Sequence, residues 1–172
     1  MVDANLLVTY DPNHIGLAKE EITSILKKIG ITPNFLDLKV DGLFRINIEE
    51  PKKAVKKLSE ICKKDSSDFS ITFHWIPVDN WTKSTIEDMQ HVIKGLVDHI
   101  SEKERWKMDI AKRCYDKYST TELIMKLTEI VDKPNVDLNN PDKIIRVDII
   151  GDEAGISVLE KNEILNTTSV SK

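Results

Sequence analysis

Apolar and polar positions in the first 75 residues switch between two periods, and the switches mark out elements. Asn5 to Tyr10 is a short apolar run closed by Asp11-Pro12-Asn13, which reads as a strand and a turn. Ile15, Ala18, Ile22, Ile25, Leu26 and Ile29 then recur at helical spacing up to Gly30, which ends the helix as the residue after its cap. Phe35 to Val40 and Leu43 to Ile48 flank Asp41-Gly42, a two-residue hairpin signal. Pro51 suits a helix start, and Ala54, Val55, Leu58, Ile61 and Cys62 form the inner stripe behind it. Phe69, Ile71, Phe73 and Trp75 alternate with Ser70, Thr72 and His74 as a half-buried strand. The order β-α-β-β-α-β predicts a ferredoxin-like domain over residues 1–76.

Pro77 marks the boundary. Beyond it, Ser84-Thr85-Ile86-Glu87 reads as a capping box for a helix with Ile86, Met89, Ile93, Leu96, Val97 and Ile100 turned inward. Trp106, Met108 and Ile110 alternate with Lys107, Asp109 and Ala111 as a strand, with Lys112-Arg113 just past its end. Ser119-Thr120-Thr121-Glu122 is a second capping box, and its helix buries Leu123, Leu127, Ile130 and Val131. Val136-Asp137-Leu138-Asn139-Asn140-Pro141-Asp142 is a polar corner that opens onto an alternating strand. Ile145, Val147 and Ile149 lie on one face of that strand, Arg146 and Asp148 on the other. Gly151 to Gly155 turns the chain back into a strand from Ile156 to Glu160. The pattern is α+β: a ferredoxin-like domain, then an α/β domain over residues 77–165, then a small polar tail over 166–172 that is expected to fray.

Composition narrows the function classes. The chain has 172 residues, 40% hydrophobic and 31% charged, as in a soluble globular protein. It has no apolar run near the ~20 residues that cross a bilayer, and no signal peptide at Met1-Val2-Asp3-Ala4-Asn5. The two cysteines, Cys62 and Cys114, read as buried thiols of a reducing, cytoplasmic compartment. Glycines at 16, 30, 42, 95, 151 and 155 have the spacing of neither a G-x-G-x-x-G turn nor a G-x-x-x-x-G-K loop, so no small-molecule cofactor is expected by those routes. Glu87 and His91 share one helix face, with His99 beyond them, and this reads as a solvated surface and not as a metal site. Cys114 beside a histidine as nucleophile and base is the weaker alternative to an ordinary thiol. Enzymatic activity is not expected.

Charge is the feature that changes the picture. The net charge is −4, not the strongly basic value of many nucleic-acid binders. Of 25 basic and 29 acidic residues, 11 of each fall within residues 1–75, leaving 14 and 18 for the rest. Two local clusters stand out. Lys52, Lys53, Lys56, Lys57, Lys63 and Lys64 face a single acid, Glu60, and read either as the solvated side of an amphipathic helix or as a backbone-binding face. Lys103 to Lys117 holds six basic residues against three acids. Within it Lys107, Lys112, Arg113 and Lys117 precede a capped helix whose N–H groups and dipole favour phosphate.

The pair Lys112-Arg113, the helix opened by Ser119, and the Val136-Asp137-Leu138…Pro141-Asp142 corner with its Ile/Val strand occur in the order of a THUMP domain. Residues from about Trp81 to Glu160 therefore resemble that family of RNA-binding domains, and such domains typically follow a ferredoxin-like domain. The resemblance implies binding of tRNA, commonly at its acceptor stem and 3′ end. The members are usually fused to thiouridine synthases, pseudouridine synthases or methyltransferases. This chain ends soon after the segment, so it is similar to the stand-alone archaeal and eukaryotic proteins that assist an acetyltransferase in making N4-acetylcytidine. The expected function is a non-catalytic adaptor that presents tRNA to that separate enzyme, without membrane or cofactor. The rivals are an RNA-binding subunit of a split thiolation, methylation or pseudouridylation enzyme, and a protein-binding module without RNA affinity. Lys112 and Arg113 are the expected principal phosphate ligands, supported by Lys107, Lys117, Lys143 and Arg146.

Overall fold

The computed structural model describes residues 3–170, so the ends of the N-terminus and of the expected tail lie outside the described residues. The chain divides into two units: one runs to Pro77 and takes up the chain again from Asn162, the other is Val78–Lys161.

The first unit is built from β1 (Leu6–Tyr10), α1 (Ile15–Lys28), β2 (Asn34–Phe35), β3 (Leu43–Asn47), α2 (Pro51–Lys64), β4 (Thr72–Pro77) and β9 (Leu165–Asn166). Its sheet order is β2-β3-β1-β4-β9, with every neighbouring pair antiparallel. The first four strands carry the split β-α-β arrangement expected from the sequence. α1 and α2 bury Ile22, Leu26, Val55 and Leu58 in the core with Leu6 and Trp75. α1 ends as read: Gly30 has φ +78, and the Gly30 and Ile31 N–H groups donate to the Lys27 and Leu26 carbonyls, closing a Schellman motif.

Two strands differ in extent from the sequence reading. The Asp41-Gly42 turn is present, but Phe35 pairs with Ile46 while Val40 meets Leu43. The stretch between therefore carries two more residues than its partner and bulges out of the ladder, leaving Leu38 exposed. β4 starts at Thr72 and not at Phe69, because Glu21 of α1 takes the approach to it. The Glu21 carboxylate accepts the backbone N–H groups of Ser70, Ile71 and Thr72 and the Ser70 hydroxyl, bonds that a ladder would otherwise claim.

The segment after Asn162 also departs from the expected frayed end. Trp75 pairs with Leu165 and His74 with Asn166, and the buried Thr167 hydroxyl donates to the Thr72 carbonyl. Leu165 joins the core, and burying such a side chain contributes about 1.5–3 kcal/mol, enough to hold a two-residue strand.

The second unit holds β5 (Asn80–Lys83), α3 (Ile86–Leu96), β6 (Trp106–Arg113), α4 (Thr120–Thr128), β7 (Lys143–Ile150) and β8 (Glu153–Leu159). Its order is β5-β8-β7-β6, antiparallel except for the parallel pair β6–β7. Ile145, Val147 and Ile149 face α3 and α4 in one core, as their alternation required. Ser119 caps α4 with the full reciprocal box to Glu122. The α3 cap sits one residue later than read: Thr85 accepts the Asp88 N–H, because the Ser84 hydroxyl is turned to the Gly151 carbonyl. Gly155 lies under Trp81, where an added Cβ would come within 3.0 Å of Val78 and 3.2 Å of the indole.

Candidate nucleic-acid interface

The basic pair Lys112-Arg113 forms the last two positions of β6, paired with Ile149 and Ile150, and does not lie beyond the strand as the sequence reading had it. Strand alternation then sends the two side chains to opposite faces. Lys112 follows Trp106, Met108 and Ile110 onto the helix-covered face, and its ammonium donates to the Tyr118 carbonyl at 3.1 Å. Tyr118 immediately precedes the Ser119 cap, and Lys126 lies over its ring at 5.1 Å to the centroid. One cation is thereby held at the positive end of α4. The Glu122 carboxylate answers it there, held below its usual range by the Ser119 N–H and hydroxyl.

Arg113 takes the other face, with Lys107 and Asp109 of its own strand and Arg146 and Asp148 of β7. Arg146 donates through Nε and Nη2 to the two Asp148 oxygens, both at 2.9 Å, a bidentate pair. Asp148 is only 1% exposed and Arg146 14%. Burial works against the Arg146 charge, yet Asp148 against it and Asp109 nearby hold the guanidinium above its ordinary value. Arg113 approaches the same carboxylate more loosely, with Nη1 at 3.8 Å from Oδ1. That nitrogen is buried and makes no hydrogen bond among the described residues. Two guanidinium groups thus share one carboxylate and leave a positive surplus.

The remaining expected ligands are distributed less favourably. Lys107 pairs with Asp109 at 3.4 Å. Lys143 pairs with Glu104 at 3.0 Å and reaches the His99 carbonyl, while the Ser101 N–H and then Lys143 hold the Glu104 carboxyl low. Lys117 is exposed and has no ion-pair partner among the described residues. The structure places Lys112 and Lys117 near the start of α4, leaves Arg113 on the opposite face beside Asp148, and ties Lys107, Lys143 and Arg146 to acids.

Arg105 was missed by sequence reasoning. It bonds Asp142 through backbone and side chain and approaches Asp137, pinning the polar corner against the start of β6. Asp137 in turn accepts the Asn139 and Asn140 N–H groups, so the corner is an Asx turn and its carboxyl is held low by those bonds. The only signal was position: an arginine directly before a strand with two aspartates in the corner that follows. Of the two thiols, Cys62 is buried as expected, with its pKa raised by burial, whereas Cys114 is exposed in a left-handed conformation at φ +55. Among the described residues no group of His, Cys, Asp or Glu side chains comes together as a metal site.

The model of the THUMP domain matches residues 83–159, which contain β6, α4, the Arg105-pinned corner and β7. The second unit therefore carries a THUMP domain. No curated protein matches the sequence. Among solved structures the chain is similar to PH1313 from Pyrococcus horikoshii Ot3, at 14% identity and TM-score 0.60 over 91% of this chain and 55% of that one. It is similar also to TrmN from Thermus thermophilus, at 17% identity and TM-score 0.58 over 89% and 44%. A third is described as a predicted N6-adenine-specific DNA methylase from Listeria monocytogenes, at 10% identity and TM-score 0.57 over 92% and 40%. Identities this low establish a shared fold. The chain spans about half the length of the structures it matches.

Proposed function

We propose that this chain is a tRNA-binding protein of tRNA modification, a non-catalytic adaptor that presents tRNA to a separate enzyme, the acetyltransferase that forms N4-acetylcytidine. The match of residues 83–159 to the THUMP domain carries the RNA-binding part of this reading. The adaptor role and the acetyltransferase partner are the part of the reading that goes beyond that match. Lys112, Arg113 and Lys117 are the leading phosphate ligands: Lys112 and Lys117 because cations beside the start of α4 suit a phosphate group, and Arg113, on the opposite face, because it is only loosely held by Asp148. Lys107, Lys143 and Arg146 contribute less direct contact, since each must first leave an acidic partner.

The test is tRNA binding by gel shift for the wild type, for Lys112→Glu/Arg113→Glu and for Lys117→Glu, each checked by thermal melting. Charged hydrogen bonds to phosphate are worth about 1.5–3 kcal/mol, so losses of at least about tenfold are expected. Unchanged affinity in folded variants removes this site. Absence of acetylcytidine from tRNA in a deletion strain is the expected cellular result.

A second reading has one observation in its favour. The chain covers only 55%, 44% and 40% of the three structures above, one of them described as a methylase. That proportion fits the RNA-binding part of a larger or split modification enzyme. Reconstitution separates the two: excess tRNA restores modification with a variant of an adaptor, but not with a variant lacking a group that acts in the transition state.

A further inference from the structure

We propose that the outer face of α2, in the first unit, is a second contact for the RNA phosphate backbone, formed by two rows of lysines. This rests on the reading above that the protein binds RNA. At 3.6 residues per turn, Lys53, Lys57 and Lys64 fall in one row along the helix and Lys52, Lys56 and Lys63 in the row beside it. All three lysines of the first row are exposed, and at 1.5 Å per residue the row runs roughly 16 Å along the surface.

The rows are not an ordinary solvated face. α1 is also 14 residues long and lies against the same core, yet it mixes Lys19, Lys27 and Lys28 with Glu20 and Glu21. α2 has only Glu60 among six lysines. Lys57, Lys63 and Lys64 have no ion-pair partner among the described residues, and Lys53 reaches only the exposed Glu50, at 3.8 Å.

In its first two turns the arrangement also works against the helix that carries it, whereas Lys63 and Lys64 suit its C-terminal end. Lys52 and Lys53 occupy the first turn, where no acid is present and the dipole disfavours a cation. Lys52 with Lys56, and Lys53 with Lys57, are like charges four residues apart, which repel. Six lysines in two rows, with Glu60 the one acid between them toward the C-terminal end, complement a regularly charged anionic chain. A nucleic-acid backbone is such a chain, and this face would read its charge and spacing without regard to base sequence.

The experiment measures tRNA affinity of the full chain across a salt series. The proteins are the wild type, Lys53→Gln/Lys57→Gln/Lys64→Gln, and the same three positions changed to Arg. Each lost phosphate contact lowers the slope of log affinity against log salt by about 0.7–0.9, so the Gln protein should be shallower by about two, and the Arg protein should keep the wild-type slope. If the triple Gln protein does not fold, Lys57→Gln alone, with a decrease of about 0.7–0.9, decides the matter. A folded Gln protein with the wild-type slope overturns the proposal, and it is the result expected if these rows serve an acidic protein. Absence of salt-dependent tRNA binding in the wild type overturns the underlying RNA reading instead, so the two failures are distinguishable.

Discussion

The two positive surfaces differ in how their charge is held. On β6 and β7 nearly every cation has an assigned acid or carbonyl: Arg146 on Asp148, Lys107 on Asp109, Lys143 on Glu104, Lys112 on the Tyr118 carbonyl. On α2 the exposed lysines stand without such partners, Lys53 apart. Paired cations are oriented before a ligand arrives but must surrender an interaction to bind it. Unpaired ones are free to bind but repel one another while they wait. The contrast teaches that counting basic residues in a sequence overstates one surface and understates the other.

The largest expected effect breaks the ordered side of this contrast. Asp148→Ala leaves two guanidinium groups without their shared buried carboxylate, and chemical denaturation should show a loss of about 3–5 kcal/mol. A loss below 1 kcal/mol would mean that solvent already reaches the cluster. Glu21→Ala is the matching test in the first unit. It orphans three backbone N–H groups leading into β4, and a loss of about 1–3 kcal/mol is expected from the same measurement. Ser119→Ala removes the cap at the start of α4 and should cost about 1 kcal/mol. The smallest effect has the opposite sign. Lys53→Glu replaces a repulsion with Lys57 by an attraction and puts an acid in the first turn, against the loss of only an exposed pair with Glu50, so stability should rise by about 0.2–0.5 kcal/mol while tRNA affinity falls. A gain in both would separate the lysine rows from RNA binding.

How much of this was legible in the sequence depended on range. Period and local caps carried the β-α-β-β-α-β order, the Gly30 stop and the Ser119 box, because each is decided by residues within a few positions of one another. The errors came where distant partners intervene. Ser84 was read as a cap because nothing nearby shows that its hydroxyl is claimed by the Gly151 carbonyl. Lys112 and Arg113 were read as lying past the strand because charged residues suggest an end. Their pairing with Ile149 and Ile150 extends β6 and parts them to opposite faces. The bulge between Phe35 and Val40 was invisible because a clear turn signal does not fix the count of residues on either side. For the site, the residue types were readable and their availability was not: Asp148 looked like the polar side of an alternating strand, and only its burial shows it as the anion to which Arg146 is bound.

The return of the chain to β4 has a consequence for assembly. Thr72 and Thr167 are 95 residues apart in sequence yet hydrogen-bonded, so a ribosome must pass through the whole inserted unit before the first sheet can receive β9. Until then β4 presents an open edge. The inserted unit shortens the search, because its first strand and its last pair with each other, Asn80 opposite Ile156, and bring the two ends of the insertion side by side. Once those strands have met, the loop left to close is only the few residues leading to Leu165, and the entropy of closure falls accordingly. If Val78–Lys161 forms first, it acts as a clasp that hands the chain back to the sheet it left.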